Sequence, residues 1–307
     1  MYPFHYTLLL FSAVFLLQTS ASFGQVGKGN RYNDPLGISP TYYYVKTKDK
    51  TKFTATLIDR NRIESEMTFQ VYNYYDVVVL KSNIRSMRRV NSENIRRGDY
   101  LIYSLNQSRY FTMPTGFGMK GGTLHYKTTN LLYHSFHAGI TNHISLHFGT
   151  ELYTSLVLKE PAYHAGITLN YPVHKLVRVG ANVSFSNIYG DYKKLGTGYG
   201  FVSIGNSNIN ISSGYGYGYP VLTNEFDRAT SFIPVSGKVR IGKHVALVSE
   251  NWLIVNPEQN IPDMTFSYGV RLIFEKMSID LALVNNPQFR EYLPTGLPMV
   301  NFTYNIQ

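Results

Sequence analysis

The sequence contains no cysteine. That absence removes disulfides, thiolate zinc sites, iron–sulfur clusters and cysteine nucleophiles together, and with them the acylated cysteine of a lipoprotein. Charge is also scarce. Only 16% of residues are Asp, Glu, Lys or Arg, against 44% apolar and 15% aromatic, so the chain has too much to bury for a disordered one. Long hydrophobic runs are missing too: no stretch approaches 18 apolar residues without charge, so no transmembrane helix is expected. The run Leu8–Leu17 is half the ~20 residues that a membrane-spanning helix needs. Small residues follow it at Ser22-Phe23-Gly24. Residues 1–24 therefore read as a secretory signal peptide, with cleavage before Gln25.

What the chain does have is 25 Gly, 13 Pro and 26 Tyr in 307 residues, a balance that leans toward strands and turns. Charge divides it unevenly. Gln25–Arg109 holds 15 cations and eight anions, a surplus of seven, whereas the remainder holds 14 and 11. Two units are expected from this shift. After a linker over residues 25–40, residues 41–90 read as a small all-β module of about four strands. Phe53, Ala55 and Leu57 alternate with Lys52, Thr54 and Thr56 there, and Met67, Phe69 and Val71 with Glu66, Thr68 and Gln70. A basic run, Arg85 to Arg97, leads into a second linker over residues 91–108.

Residues 109–307 repeat one pattern. Ile144, Leu146, Phe148 and Leu152 alternate with His143, Ser145, His147 and Glu151; Val177, Val179, Ala181 and Val183 alternate with Arg178, Gly180, Asn182 and Ser184. Alternation alone also fits a soluble sandwich. Length argues further, because the segments run 9–14 residues, whereas a soluble strand usually has about 5–6 and a membrane-spanning one about 9–11. Connections also alternate between short (Thr141–Asn142, Lys243–His244, Lys276) and long (Asp191–Leu195, Tyr219–Arg228, Asn256–Pro262, Asn286–Gly296), as in outer-membrane barrels. Eleven strands are clear, the first over residues 123–140. A twelfth at Arg109–Gly116 makes the number even and brings both ends to the short-turn side. The expected fold is thus all-β: a transmembrane antiparallel barrel of about 12 strands behind a small β module.

At Ser108–Leu152 the text reads SRYFTMPTGFGMKGGTLHYKTTNLLYHSFHAGITNHISLHFGTEL. This resembles a family of uncharacterised outer-membrane β-barrel proteins common in Bacteroidota. The matching residues are Arg109, Tyr110, Phe111, Pro114, Gly121, Tyr126, Gly139, Ile140, Thr141, Ser145 and Leu146, while His143 and His147 depart from the pattern. The upstream segments KTKDKTKFTATLID and VVVLKSNIRSM resemble the small module that precedes such barrels, with Lys50 and Ala55 where Gly is usual. The resemblance implies an outer-membrane location and this fold, and supplies no catalytic residues.

Candidate chemistry lies on the polar phase of the strands. Lys127, His137, His143, His147, Glu151, Arg178, Lys238, Arg240, Arg271 and Asp280 are expected to face the lumen. His143 and His147 with Glu151 could ligate a metal, but i, i+4 on a strand separates side chains by ~13 Å, so no metal site or other cofactor is assigned. Buried cations must be paired or wet. Two readings stand: a lumen that conducts or binds anions, and a charge-laced plug that closes the barrel. His134 falls on the apolar phase; with a neighbouring Ser it could form a lipid-modifying site. The leading function is structural or passive channel-type, with the lipid-modifying barrel enzyme second and a soluble secreted β-sandwich third. Expected partners are outer-membrane lipid and the barrel-assembly machinery, not nucleic acid, with the module in the periplasm of a Gram-negative cell. The Gly-Tyr repeats at Gly196–Gly200 and Gly214–Tyr219 precede no helix, so they read as Tyr-rich loop bases and not as phosphate loops.

Overall fold

The computed structural model describes residues 41–59, 65–71, 75–90, 94–96, 98–102, 104–156, 162–187, 194–220, 230–255, 263–287 and 294–306. The expected signal peptide, the linker over residues 25–40 and most of the long loops lie outside the described residues.

The N-terminal module is a sheet of five strands rather than about four: β1 (Tyr42–Thr47), β2 (Lys52–Asp59), β3 (Glu66–Val71), β4 (Tyr75–Leu80) and β5 (Ile84–Val90), in the order β4-β3-β2-β1-β5. The fifth strand is half of the basic run, which pairs along β1 from Tyr42↔Val90 to Thr47↔Ile84. Arg side chains suit such an edge, because charge discourages further strand addition. One face of the sheet gathers Val45, Ala55, Met67, Phe69 and Val79 into a core. Two short strands, β6 (Ile95–Arg96) and β7 (Asp99–Tyr100), then lead out of the module.

The rest is a closed antiparallel barrel of 12 strands. These are β8 (Leu124–Thr129), β9 (Tyr133–Gly139), β10 (Ile144–Glu151), β11 (Ala162–Pro172), β12 (Val177–Asn187) and β13 (Lys194–Gly205), followed by β14 (Ile209–Pro220), β15 (Thr230–Arg240), β16 (Val245–Val255), β17 (Asp263–Ile273), β18 (Met277–Asn285) and β19 (Leu297–Asn305). A one-turn helix α1 (Leu152–Leu156) follows β10. Pairing of β19 with β8, from Asn301↔Thr129 to Asn305↔His125, closes the ring and leaves no sheet edge. The outward face is apolar and exposed, as at Leu146, Phe148, Ile167, Leu169, Val202 and Leu281, while Ser145, Thr168, Ser203 and Ser212 are buried inside.

The twelfth strand arises differently from the sequence expectation. Residues 123–140 are not one strand but the hairpin β8–β9, turned at Asn130 (φ 50°) and Leu131 (φ 61°) with Leu132 N–H donating to Thr129 O. Positive φ at both central residues matches the right-handed twist of the flanking strands. Arg109–Gly116 is not a barrel strand. It is the tip of a finger, residues 104–121, that enters the barrel from the short-turn end, doubles back and leaves at the same end. Tyr110 N–H donates to Met113 O and Thr115 N–H to Ser108 O, and Arg109 bridges to Pro114, so the tip is a tight hairpin.

Candidate functional site: the filled lumen

The barrel wall and the finger meet over most of the lumen's circumference. Near the short turns, Asn106 Nδ2 donates to Ser278 Oγ (2.8 Å) and Thr303 Oγ1 (3.1 Å). Tyr110 Oη donates to Asn210 Oδ1 at 2.7 Å and also meets Ser212 Oγ. On the return arm, Gly116 N–H donates to Ser203 Oγ, and Arg178 lies over the Phe117 ring. Two glycines allow that arm to lie against the wall. A Cβ on Gly116 would stand 2.6 Å from the Arg178 Cβ; one on Gly118, whose φ is +50°, would stand 2.5 Å from the Asn170 amide.

Charge fixes the finger from both directions. Its backbone amides converge on one wall carboxylate: Phe111, Thr112 and Met113 N–H all donate to Glu250 Oε2 at 2.8–3.0 Å. Thr112 Oγ1 and Trp252 Nε1 donate to Glu250 Oε1. Its carbonyls are taken by wall cations. Lys127 Nζ donates to Phe111 O at 2.6 Å and Arg271 to the carbonyls of Asn106, Arg109 and Tyr110, while Arg240 Nη1 holds Ile102 O, just before the finger, at 2.7 Å. Arg271 also holds Asp280 with Nε (2.6 Å) and Nη2 (3.0 Å), so this fully buried pair is satisfied on every side. Above the tip, Tyr110, Phe111 and Met113 pack against inward-facing Tyr199, Phe201, Phe232, Val248 and Ala282. The lumen is therefore polar toward the short turns and aromatic at mid-height. Tyr199 belongs to this plug and not to a loop base, whereas Tyr215 and Tyr217 face outward on β14.

The expected lumen residues separate on placement. Lys127, His137, Lys238, Arg240, Arg271 and Asp280 are buried inside. Arg178 is half-buried against the finger. His147 stands higher, with its Nε2 2.9 Å from His164 Nε2, and His164 Nδ1 reaches Ser186 Oγ. His137 meets Arg109 Nη1 at 3.4 Å and Ser135 Oγ at 3.0 Å. One assignment differs, and one lies at another height. His143 is exposed in the short turn before β10, with its ring against Tyr171, because the strand starts one residue later. Glu151 ends β10 on the long-loop side, where it accepts from Tyr153 N–H, away from the cations near the short turns. Among the described residues no group of three or more His, Asp or Glu is placed to hold a metal ion. His134 has both ring nitrogens engaged, by Tyr126 Oη and Leu131 O.

The sequence reading missed Glu250, Tyr110, Asn106 and His164. Glu250 had a signal: it is a lone acid in the inward phase of VALVSENWLIV. The finger residues had none, because Arg109–Gly116 alternates like a strand.

Fold and lumen together define a closed, antiparallel 12-stranded β-barrel occupied by its own chain. No family model matches the sequence, including the resemblance at Ser108–Leu152, and no curated protein is similar to it. Solved structures with a similar fold include the KdgM porin in complex with disordered oligogalacturonate (7% identity, TM-score 0.41, 60% of this chain and 95% of that one). Two others are the NanC porin (5%, 0.41, 60% and 97%) and OmpF of Salmonella typhi in complex with daunomycin (9%, 0.33, 87% and 95%). None of these likenesses carries a cargo over to this chain.

Proposed function

We propose that this chain is an outer-membrane barrel of the passive channel type, held shut by its finger. The supporting observation is the bonding of residues 104–121 to the wall, which leaves mid-height filled by Tyr110, Phe111, Met113, Tyr199 and Phe232. The outward apolar belt fits lipid, and the finger fits a gate because both its arms run to the short-turn end. It can withdraw there without threading. In this reading the module lies in the periplasm of a Gram-negative cell, next to the short turns, and membrane lipid and the barrel-assembly machinery are the partners.

Planar-bilayer recordings test the gate. The wild type should be closed most of the time, and Glu250→Gln, which removes the charge that three finger amides share, should raise the open fraction. Heat-modifiable gel migration checks that the variant is folded. A folded Glu250→Gln protein as silent as the wild type overturns the channel reading in favour of a structural barrel.

A further inference from the structure

The cations of the lumen are gathered near the short turns, where the finger lies. Arg240 ends β15, Arg271 lies near the end of β17, and Arg178 is near the start of β12. Lys127 and Lys238 stand between them and mid-height. Of the buried wall carboxylates, Asp280 is held by Arg271 and Asn301, and Glu250 by the finger amides and Trp252. Lys127 spends its bond on a finger carbonyl, Arg240 donates to the Ile102 carbonyl and the Asn208 amide oxygen, and Arg271 adds three finger carbonyls to its ion pair. Lys238 Nζ, although its residue is only 2% exposed, has no hydrogen-bond partner among the described residues, nor has Arg178 Nε.

An anionic oxygen is a stronger acceptor for Arg or Lys than a neutral carbonyl, and a guanidinium fork fits carboxylate and phosphate in particular. We infer that this half of the lumen is a binding collar for solutes bearing carboxylate or phosphate oxygens, and that the finger's carbonyls occupy the collar when the barrel is closed. The inference rests on the gate reading: solute and finger compete for the same donors. An anionic solute arriving from the short-turn side gains Lys238 Nζ and Arg178 Nε as well, to which the finger offers no hydrogen bond. Binding therefore favours the withdrawn finger, since a ligand shifts an equilibrium by its difference in affinity for the two states.

Tripolyphosphate is a suitable probe, measured by calorimetry on the full chain in detergent. Because the chain has no cysteine, Asn106→Cys with Ser278→Cys creates a single possible disulfide, between side chains that now meet at 2.8 Å. The reduced protein should bind tripolyphosphate, and the oxidised protein, its finger stapled, should bind roughly tenfold more weakly or not at all. Equal binding in both states overturns the collar and places the site elsewhere, the basic strand β5 first. Lys238→Gln alone, with no staple, should weaken binding about tenfold; unchanged binding overturns the inference independently. Conductance answers the other question. Staple-sensitive binding in a barrel that never conducts keeps the collar and removes the channel.

Discussion

Glu250 gathers three successive amides of the finger tip on one buried oxygen, so its charge is shared by three donors at once. Glu250→Gln keeps the shape and removes the charge, and it aims an NH2 group at one set of donors. The expected cost is about 3 kcal/mol, because bonds to a charged acceptor are worth about 1.5–3 kcal/mol each and some neutral bonding survives. Urea titration of the folded protein in bilayers measures it; a loss under ~1 kcal/mol would show that the amides find other acceptors. The wall gives a second residue-scale contrast. Leu146 faces outward and is 43% exposed, while its neighbour Ser145 is buried inside. On the membrane reading proposed above, Leu146→Arg places a cation in hydrocarbon at about 2–4 kcal/mol. Ser145→Arg crowds a lumen that already holds hydrated or bonded charge, so its cost should be smaller. The same titration compares them, and equal values would contradict the two faces.

The hairpin β8–β9 turns on Asn130 and Leu131, and Leu131 is a bulky residue with φ 61° and 78% of its surface exposed. A left-handed conformation costs an L-residue roughly 1–2 kcal/mol, and Gly adopts it freely at a backbone-entropy cost of about 0.5–1 kcal/mol. Leu131→Gly should therefore stabilise the barrel slightly, by ~0.5 kcal/mol, with little burial lost. Chemical unfolding beside the wild type reads the difference; a destabilised variant would mean that the Leu131 side chain holds the turn against lipid. The same turn explains what was legible. Alternation in β10, β12 and β17 reveals the barrel wall, its faces and its inward cations, because side-chain phase depends on adjacent residues alone. The Asn130-Leu131 turn lacks the Gly that marks such turns, so it hides within an apparently continuous strand. Arg109–Gly116 is harder still. Arg109, Phe111 and Met113 alternate with Tyr110 and Thr112 as a strand would, and only the partners across the lumen, from Lys127 to Glu250, show it as a plug. Those contacts span sequence separations that no local pattern encodes.

Whole-molecule behaviour turns on the joint between module and barrel. Lys46 of β1 donates to Glu275 Oε1 at 2.7 Å in the turn between β17 and β18. Around this pair, Tyr44 packs on Tyr100 (centroids 4.8 Å apart), and Arg88 lies over both rings. This joint adjoins the root of the finger, so its strength bears on how the module restrains the finger. The hydrogen bond from Lys46 is the main cause holding the Glu275 carboxyl below its ordinary value of 4.5, and the charges of Lys46, Lys52 and Arg88 add to it. A carboxylate whose value is depressed on folding stabilises the folded state above its unfolded value, and that contribution fades as pH falls through the folded one. The joint should therefore be at full strength near neutral pH and weaken below about pH 4.5. Its size is modest, about 0.2–1 kcal/mol, since the side chains are 25% and 44% exposed and solvent screens the pair. Other carboxylates titrate in the same window, so the informative quantity is the difference between wild type and Glu275→Gln. Hydrogen exchange of the β1 and β7 amides should be slower in the wild type at pH 7, and the difference from the variant should shrink as the pH falls below about 4.5, after correction for intrinsic rates. A difference that persists unchanged at pH 3 would show that the variant acts through packing around Tyr44 and not through the ion pair.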